Sequence, residues 1–185
     1  LKQLKKMGIE PQAIFSFMAG LGSQKLFNYD ITAEEIFKNF NLSNFSSSPT
    51  KFDQKLLTVF SQKSLIKLPF NKIKNDLEKL KIPKHLQIDF WEMAKENISQ
   101  RSDLHELWSL CVDGAEPIIS LEDKEFITIS KMLMPPKPRD KTSWSIWTAD
   151  VKAKTSRSGK NLFLPLKKAL TGKTTGPDMQ KLFPL

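Results

Sequence analysis

The sequence predicts an all-α chain, and three observations carry the expectation. Apolar residues recur at spacings of three, four and seven rather than in alternation. Several of these stretches open on a capping residue or a proline and close on glycine, asparagine or proline. No alternating run is bounded by turn signals, so strands are expected to be absent or trivial, with Leu162-Phe163-Leu164 as the stretch most like an exception. With 185 residues and 39% apolar content, the chain can bury real cores in one or two domains.

The opening LKQLKKMGIEPQ is a helical fragment without a cap, and the chain stops at LFPL directly after an apolar run, so both ends are expected to be cuts through a longer protein. Pro11 suits a first helical turn. The run EPQAIFSFMAGLG places Ile14, Phe15, Phe17, Met18 and Leu21 on a largely apolar helix ended by Gly20 and Gly22. Thr32 and Glu35 stand in capping-box spacing before a helix expected to bury Ile36, Phe37 and Phe40, with Asn41 closing it. The Ser-rich NLSNFSSSPTK is an exposed linker before a helix capped by Asp53.

Three helices are expected between residues 65 and 112. PFNKIKNDLEKLK buries Phe70, Ile73, Leu77 and Leu80 with lysines opposite. HLQIDFWEMAKENIS buries Leu86, Phe90, Met93, Ala94 and Ile98. DLHELWSLC presents Leu104, Leu107, Trp108 and Cys111 behind a Ser102 or Asp103 cap, with His105 on the exposed side. The run GAEP at 114–117 breaks this helix and makes the best domain boundary. Beyond it, LEDKEFITISKMLM turns Leu121, Phe126, Ile129, Leu133 and Met134 inward, and Pro135, Pro136 and Pro138 stop it with a stiff linker. Trp144, Trp147 and Val151 recur at i, i+3 and i+7 on a helix entered through Asp140 or Thr142, which makes the tryptophans core anchors rather than stacking platforms; Phe163 is grouped with them. Helices over 165–170 and 177–185 complete the chain.

Charge is distributed unevenly. Twelve of the 29 Lys and Arg lie in residues 131–185 against three acids, Asp140, Asp150 and Asp178, while residues 1–130 balance at 17 of each. The whole formal net charge of +9 therefore falls in the last 55 residues, an asymmetry expected of a face that meets a polyanion such as RNA. Lys152, Lys154, Arg157, Lys160, Lys167, Lys168 and Lys173 follow the tryptophans around a Ser158-Gly159 turn. Their stems can cover apolar surface while their heads reach phosphates.

Other chemistry is thinly represented. A single cysteine, Cys111, forms no internal disulfide and fits a reducing cytosol, and with His85 and His105 it makes no dedicated zinc site. No apolar run approaches the roughly 18 residues of a membrane span, and no signal peptide is present. Gly-rich phosphate loops, G-x-S-x-G elbows, H-E-x-x-H and paired-cysteine spacings are all missing, so catalysis by this stretch is not expected.

The pattern over residues 144–177, W-x-x-W-x-x-x-V-K-x-x-T-x-R-x-G-K-x-L-F-x-P-L-[RK]-x-A-L-T-G-x-x-x-G-P, resembles the C-terminal anticodon-binding domain of bacterial glutamyl-tRNA synthetases. Ser156 stands where that family usually has glycine, and Lys167 where it usually has arginine; lysine keeps the charge and loses the bidentate fork. Gly8-Ile9-Glu10-Pro11-Gln12-Ala13-Ile14, Leu21-Gly22-Ser23 and Phe52-Asp53 with Leu57 are similar to the segment after the family's catalytic signature loop, although Phe60-Ser61 replaces its usual L-N. The resemblance implies a stem-contact portion over 1–62, in which Phe52 is a core anchor, and two helical anticodon-binding subdomains over 63–115 and 116–185. It implies glutamate tRNA as partner, leaves open whether the glutamine tRNA is a further one, and implies a cytoplasmic monomer. ATP and Mg²⁺ would serve a catalytic part that the family places upstream, and the present chain alone would be inactive. It also implies that Arg101, or Gln100 if the register slips by one, reads the third anticodon base, with a pairing between Arg101 and Asp103 as the structural alternative. A different class of function, a helical interaction module whose basic end meets an acidic partner or an anionic lipid, fits the charge pattern alone.

Overall fold

A computed structural model describes residues 2–23 and 27–185 of the chain. The described residues form eleven α-helices, and their one β feature is an isolated antiparallel bridge between Ser23 and Phe45. In order the helices are α1 (Lys2–Lys6), α2 (Pro11–Gly20), α3 (Ala33–Asn39), α4 (Gln54–Lys67), α5 (Phe70–Lys79), α6 (Gln87–Ala94), α7 (Asp103–Asp113), α8 (Lys124–Met132), α9 (Ser143–Thr155), α10 (Lys160–Thr171) and α11 (Met179–Leu182). Pro11 opens α2, Thr32 and Glu35 complete a capping box on α3, and Asp53 accepts from the amides of Lys55 and Leu56 at α4. Leu162-Phe163-Leu164, the stretch most like a strand, is helical within α10. That helix starts ahead of Pro165, which costs it a ladder donor and crowds the preceding turn but is buried on one stripe with Leu162 and Leu166.

Contacts divide the chain into two compact units, Leu1–Asn75 with Ile98–Leu104, and Asp76–Asn97 with His105–Leu185. Residue 62, where a sequence boundary was expected, is inside α4, and the exposed run 114–117 is internal to the second unit.

In the first unit α2 packs on α4, and Ile9, Ala13, Phe17, Leu57 and Phe60 form its core. The buried stripe of α2 is Phe17 with the small residues Ala13, Ser16 and Gly20, which let α4 approach, and Phe15 and Met18 are left exposed. Ser16 satisfies its buried hydroxyl by donating to the Tyr29 carbonyl at 3.1 Å. Only Ile36 of α3 is buried; Phe37 and Phe40 face solvent because this seven-residue helix packs on one side. Phe52 is also no interior anchor. It stands just before the Asp53 cap, 42% exposed, and touches Phe17 edge-on at 5.5 Å.

The second unit is organised around Trp147, whose ring stacks on Phe183 at 5.1 Å and whose indole N–H donates to the Ser130 carbonyl at 2.9 Å. Trp144 meets both rings edge-on, and Val151, Leu162 and Leu166 are buried with them. Phe163 departs from the expected core role: it is 45% exposed, tilted against Trp144 at 6.4 Å, because the α10 stripe of 162, 165 and 166 turns it outward. Trp108 is half-buried and set edge-on to Phe90 at 5.3 Å, and a fully buried tryptophan of the second unit, Trp91, is one the pattern reading omits. Leu121 is exposed because Leu121–Asp123 form a 3-10 turn, which changes the phase relative to Phe126 on α8. Gly172 ends α10 with φ +64°, and an added Cβ would lie 2.8 Å from the Glu116 carbonyl, so glycine is what lets segment 115–118 dock there.

Asp140, rather than Thr142, closes the start of α9. Its Oδ1 accepts from the amides and hydroxyls of both Thr142 and Ser143. Those donors, the Thr142 and Ser143 side chains first, hold its carboxyl down at about 2 against an ordinary 3.8.

Trp147→Ala is expected to cost on the order of 3–5 kcal/mol in denaturant unfolding, the usual penalty for emptying a large aromatic site. Asp140 has a depressed folded pKa, so its stabilisation is complete above about pH 4 and is lost as pH falls through about 2. Asp140→Asn is therefore expected to flatten this limb of the stability-versus-pH curve while leaving the fold intact.

Candidate nucleic-acid interface

The basic stretch begins on the last turn of α9, where Lys152 and Lys154 are exposed and their charges complement the negative end of the helix. The helix stops at Ser156 with φ +56°. Glycine tolerates this left-handed conformation best, so the serine side chain adopts it at a steric cost. Gly159 then starts α10 without a side-chain acceptor, so the positive end of a twelve-residue helix opens beside Lys160, its first residue.

A cleft of about 650 Å³ is lined here by Ser156, Arg157, Ser158, Lys160, Asn161, Leu164, Pro165 and Lys168, together with the acids Glu122 and Asp123. Three cations, two hydroxyls and an amide therefore converge on one concave surface suited to a phosphate-bearing ligand. The Lys160 ammonium makes no hydrogen bond or ion pair among the described residues, while the Lys168 ammonium makes no direct one but acts through its charge on Asp123. Arg157 does: it pairs with Asp123, donates to the Glu122 carbonyl at 3.2 Å and lies 4.3 Å over the Phe126 ring. The Arg157 bond, followed by one from Ser120, holds the Asp123 carboxyl below its usual range.

The remaining expected contacts have other engagements. Lys167 donates to the Gly176 carbonyl at 2.9 Å, and Lys173 forms an exposed pair with Glu106 at 2.7 Å. Arg101 belongs to the first unit and is not among the residues that line this cleft. Its Nε and Nη2 fork onto the buried Glu10 carboxylate, at 2.5 and 3.2 Å. Asp103, the partner expected as the alternative, instead accepts from the amides of Ser99 and Gln100. Gly8 fits this arrangement, since its carbonyl accepts the Arg101 amide at 3.1 Å and its φ is +73°. Burial pushes the Cys111 thiol up to about 12, which leaves it inert as a nucleophile.

Folding redistributes the charge. The first unit holds 12 Lys and Arg against 6 Asp and Glu, and the second 17 against 14. Acidic residues of 76–97 and 105–130 join the basic C-terminal stretch in the second unit, so the larger excess, +6, belongs to the first. Within it Lys63 and Lys67 sit over the Tyr29 ring at 5.6 and 5.0 Å, and Lys67 pairs with Asp30. The signal was present in the sequence as lysines one turn apart on α4, but linear partition at residue 130 averaged it away.

Among the described residues no helix is long and apolar enough to cross a membrane, and no group of three or more His, Cys, Asp or Glu could hold a metal ion.

No protein-family model matches the chain. Over all 185 residues it is 44% identical to glutamate-tRNA ligase 2 of Ruegeria sp. (strain TM1040) and 41% identical to glutamate-tRNA ligase 1 of Ruegeria pomeroyi, in each case covering 42% of the relative. The chain thus spans less than half the length of these curated relatives. Its fold is similar to part of the crystal structure of glutamate-tRNA synthetase from Elizabethkingia anophelis, with a TM-score of 0.73 at 14% identity over 98% of this chain and 39% of that one. A glutamate tRNA ligase from Elizabethkingia meningosepticum, in complex with its amino acid, gives 0.74 at 16% identity over 97% and 39%. At such identities the structural likeness speaks for the helical fold alone.

If the Arg101–Glu10 fork is a structural tie, Arg101→Gln is expected to lower the stability of the chain by about 3 kcal/mol, because it leaves a buried carboxylate uncompensated. Denaturant unfolding measures this directly, and an unchanged midpoint would release Arg101 for a role at the surface.

Proposed function

Because the chain belongs to the glutamate-tRNA ligase family, matching a part of its members rather than their whole length, we propose that it is the tRNA-recognition part of such a ligase. In this reading the second unit holds the anticodon arm and the first meets the inner corner of the same tRNA. The observation that carries it is the cleft at the start of α10, where the ammonium groups of Lys160 and Lys168, neither in a direct ion pair, stand beside the hydroxyls of Ser156 and Ser158 and Lys168 acts on Asp123 through its charge alone. RNA phosphates are gripped by such point charges, which set position while unpaired bases supply identity through stacking and edge contacts. Phe163, half-exposed on α10 between Lys160 and Lys167, offers a ring for stacking.

The cognate RNA is the glutamate tRNA, with the glutamine tRNA as the competitor to be tested. The parent enzyme would be a cytoplasmic monomer that activates glutamate with ATP and Mg²⁺ and esterifies the tRNA 3′ end. The described residues have no metal-binding cluster to fit the ion. In this reading residues of this chain bind and orient RNA, while the transfer chemistry belongs to the remainder of the ligase. Isolated, the chain is expected to bind tRNA and to show no ATP exchange.

Lys160→Ala together with Lys168→Ala is expected to weaken binding of a glutamate-tRNA transcript and to flatten the log K against log salt slope by roughly one unit per lost contact. An unchanged slope would take the cleft out of the RNA interface. Competition with an unrelated acidic polymer of equal charge separates RNA recognition from general polyanion attraction.

A further inference from the structure

We infer that Arg157 is a positioning residue rather than a phosphate contact: tied to Asp123, it braces the turn between α9 and α10 so that Lys160 and Lys168 present their charges to RNA. The inference rests on the reading of the cleft as an RNA site.

The turn has little else to hold it. It begins at Ser156 in the left-handed region, ends at Gly159 with φ +54°, and starts α10 without a side-chain cap. Arg157 projects from its middle and is fastened three ways. One guanidinium nitrogen meets Asp123, the other donates to the Glu122 carbonyl at 3.2 Å, and the guanidinium plane lies 4.3 Å from the Phe126 centroid. Asp123 is itself held, since its second oxygen accepts from the Ser120 hydroxyl at 2.6 Å. A guanidinium so enclosed, with its charge matched by a carboxylate, has little left for a phosphate. Its fork and its flat face are both used inside the protein. Lysine at this position could supply the charge but could not make all three attachments at once from a single ammonium nitrogen.

The two roles predict opposite signs for one substitution. Removing a carboxylate from a basic cleft would by charge alone tighten RNA binding, and it would free Arg157 to join in. If Arg157 is a brace, Asp123→Asn instead weakens binding of an unmodified glutamate-tRNA transcript to the full 185-residue chain by about tenfold, the equivalent of one charge-assisted hydrogen bond. Arg157→Lys is expected to do the same despite keeping its charge. In both variants, without RNA, amide hydrogen exchange over 156–161 is expected to speed up while exchange in the Trp147 core is unchanged. Tighter binding by Asp123→Asn, or unaltered exchange in the turn, overturns the inference. The Lys160→Ala/Lys168→Ala variant keeps the two questions apart. If it binds tRNA as well as the unsubstituted chain while Asp123→Asn still loosens the turn, the RNA reading falls and the brace stands.

Discussion

A single buried indole sets the geometry on which the second unit depends. Trp147 has one polar atom, and in the interior that N–H must find an acceptor; the Ser130 carbonyl supplies it at 2.9 Å. Meeting that bond while stacking flat on Phe183 leaves α8, α9 and the chain after α11 little freedom to slide. The constraint reaches further through Ser130, whose hydroxyl donates to the Phe126 carbonyl at 2.8 Å. Phe126 is the ring beneath the Arg157 guanidinium. The core and the basic cleft are thus joined by a short run of contacts in which each group satisfies the next.

How much of this could be read from residues alone follows from the range of the forces involved. Local signals survived: the Thr32–Glu35 capping box, the Asp53 cap, Pro11 in a first turn, and the i, i+3, i+7 spacing that buries Trp144, Trp147 and Val151. Each depends on a few neighbouring residues. Burial of single large side chains was less legible. Phe37, Phe52 and Phe163 are as apolar as Phe17, yet only the tertiary neighbours decide which ring is covered. On α2 the decision went to small residues, since close approach of α4 favours Ala13, Ser16 and Gly20 over the bulkier Phe15 and Met18.

The cations show the same limit more sharply. A charge count cannot tell a guanidinium aimed at solvent from one matched by a carboxylate far away in the chain. Arg101 and Glu10 are 91 positions apart, and Arg157 and Asp123 are 34 apart. Neither pairing has a sequence signature. The linear excess of +9 at the C-terminal end likewise became a modest one once acidic helices folded beside it.

The division of labour between the two kinds of cation has a chemical logic. The chain has three arginines, and all are engaged internally: Arg101 on Glu10, Arg139 over the Phe183 ring and onto the Pro135 carbonyl, and Arg157 on Asp123 and Phe126. Each site uses the planar face or several spaced donors together, a combination that a single ammonium nitrogen cannot reproduce. The charges left at the cleft are lysines, compact and strongly hydrated, which attract a phosphate without fixing its orientation. An RNA held by lysines alone would be held tightly at low salt and with little discrimination. Selectivity must then come from shape, that is, from where the braced turn and the start of α10 let a sugar-phosphate backbone run, and from rings such as Phe163 that accept only an unstacked base. Rigidity in the arginine-tied framework is what would turn such undirected attraction into recognition.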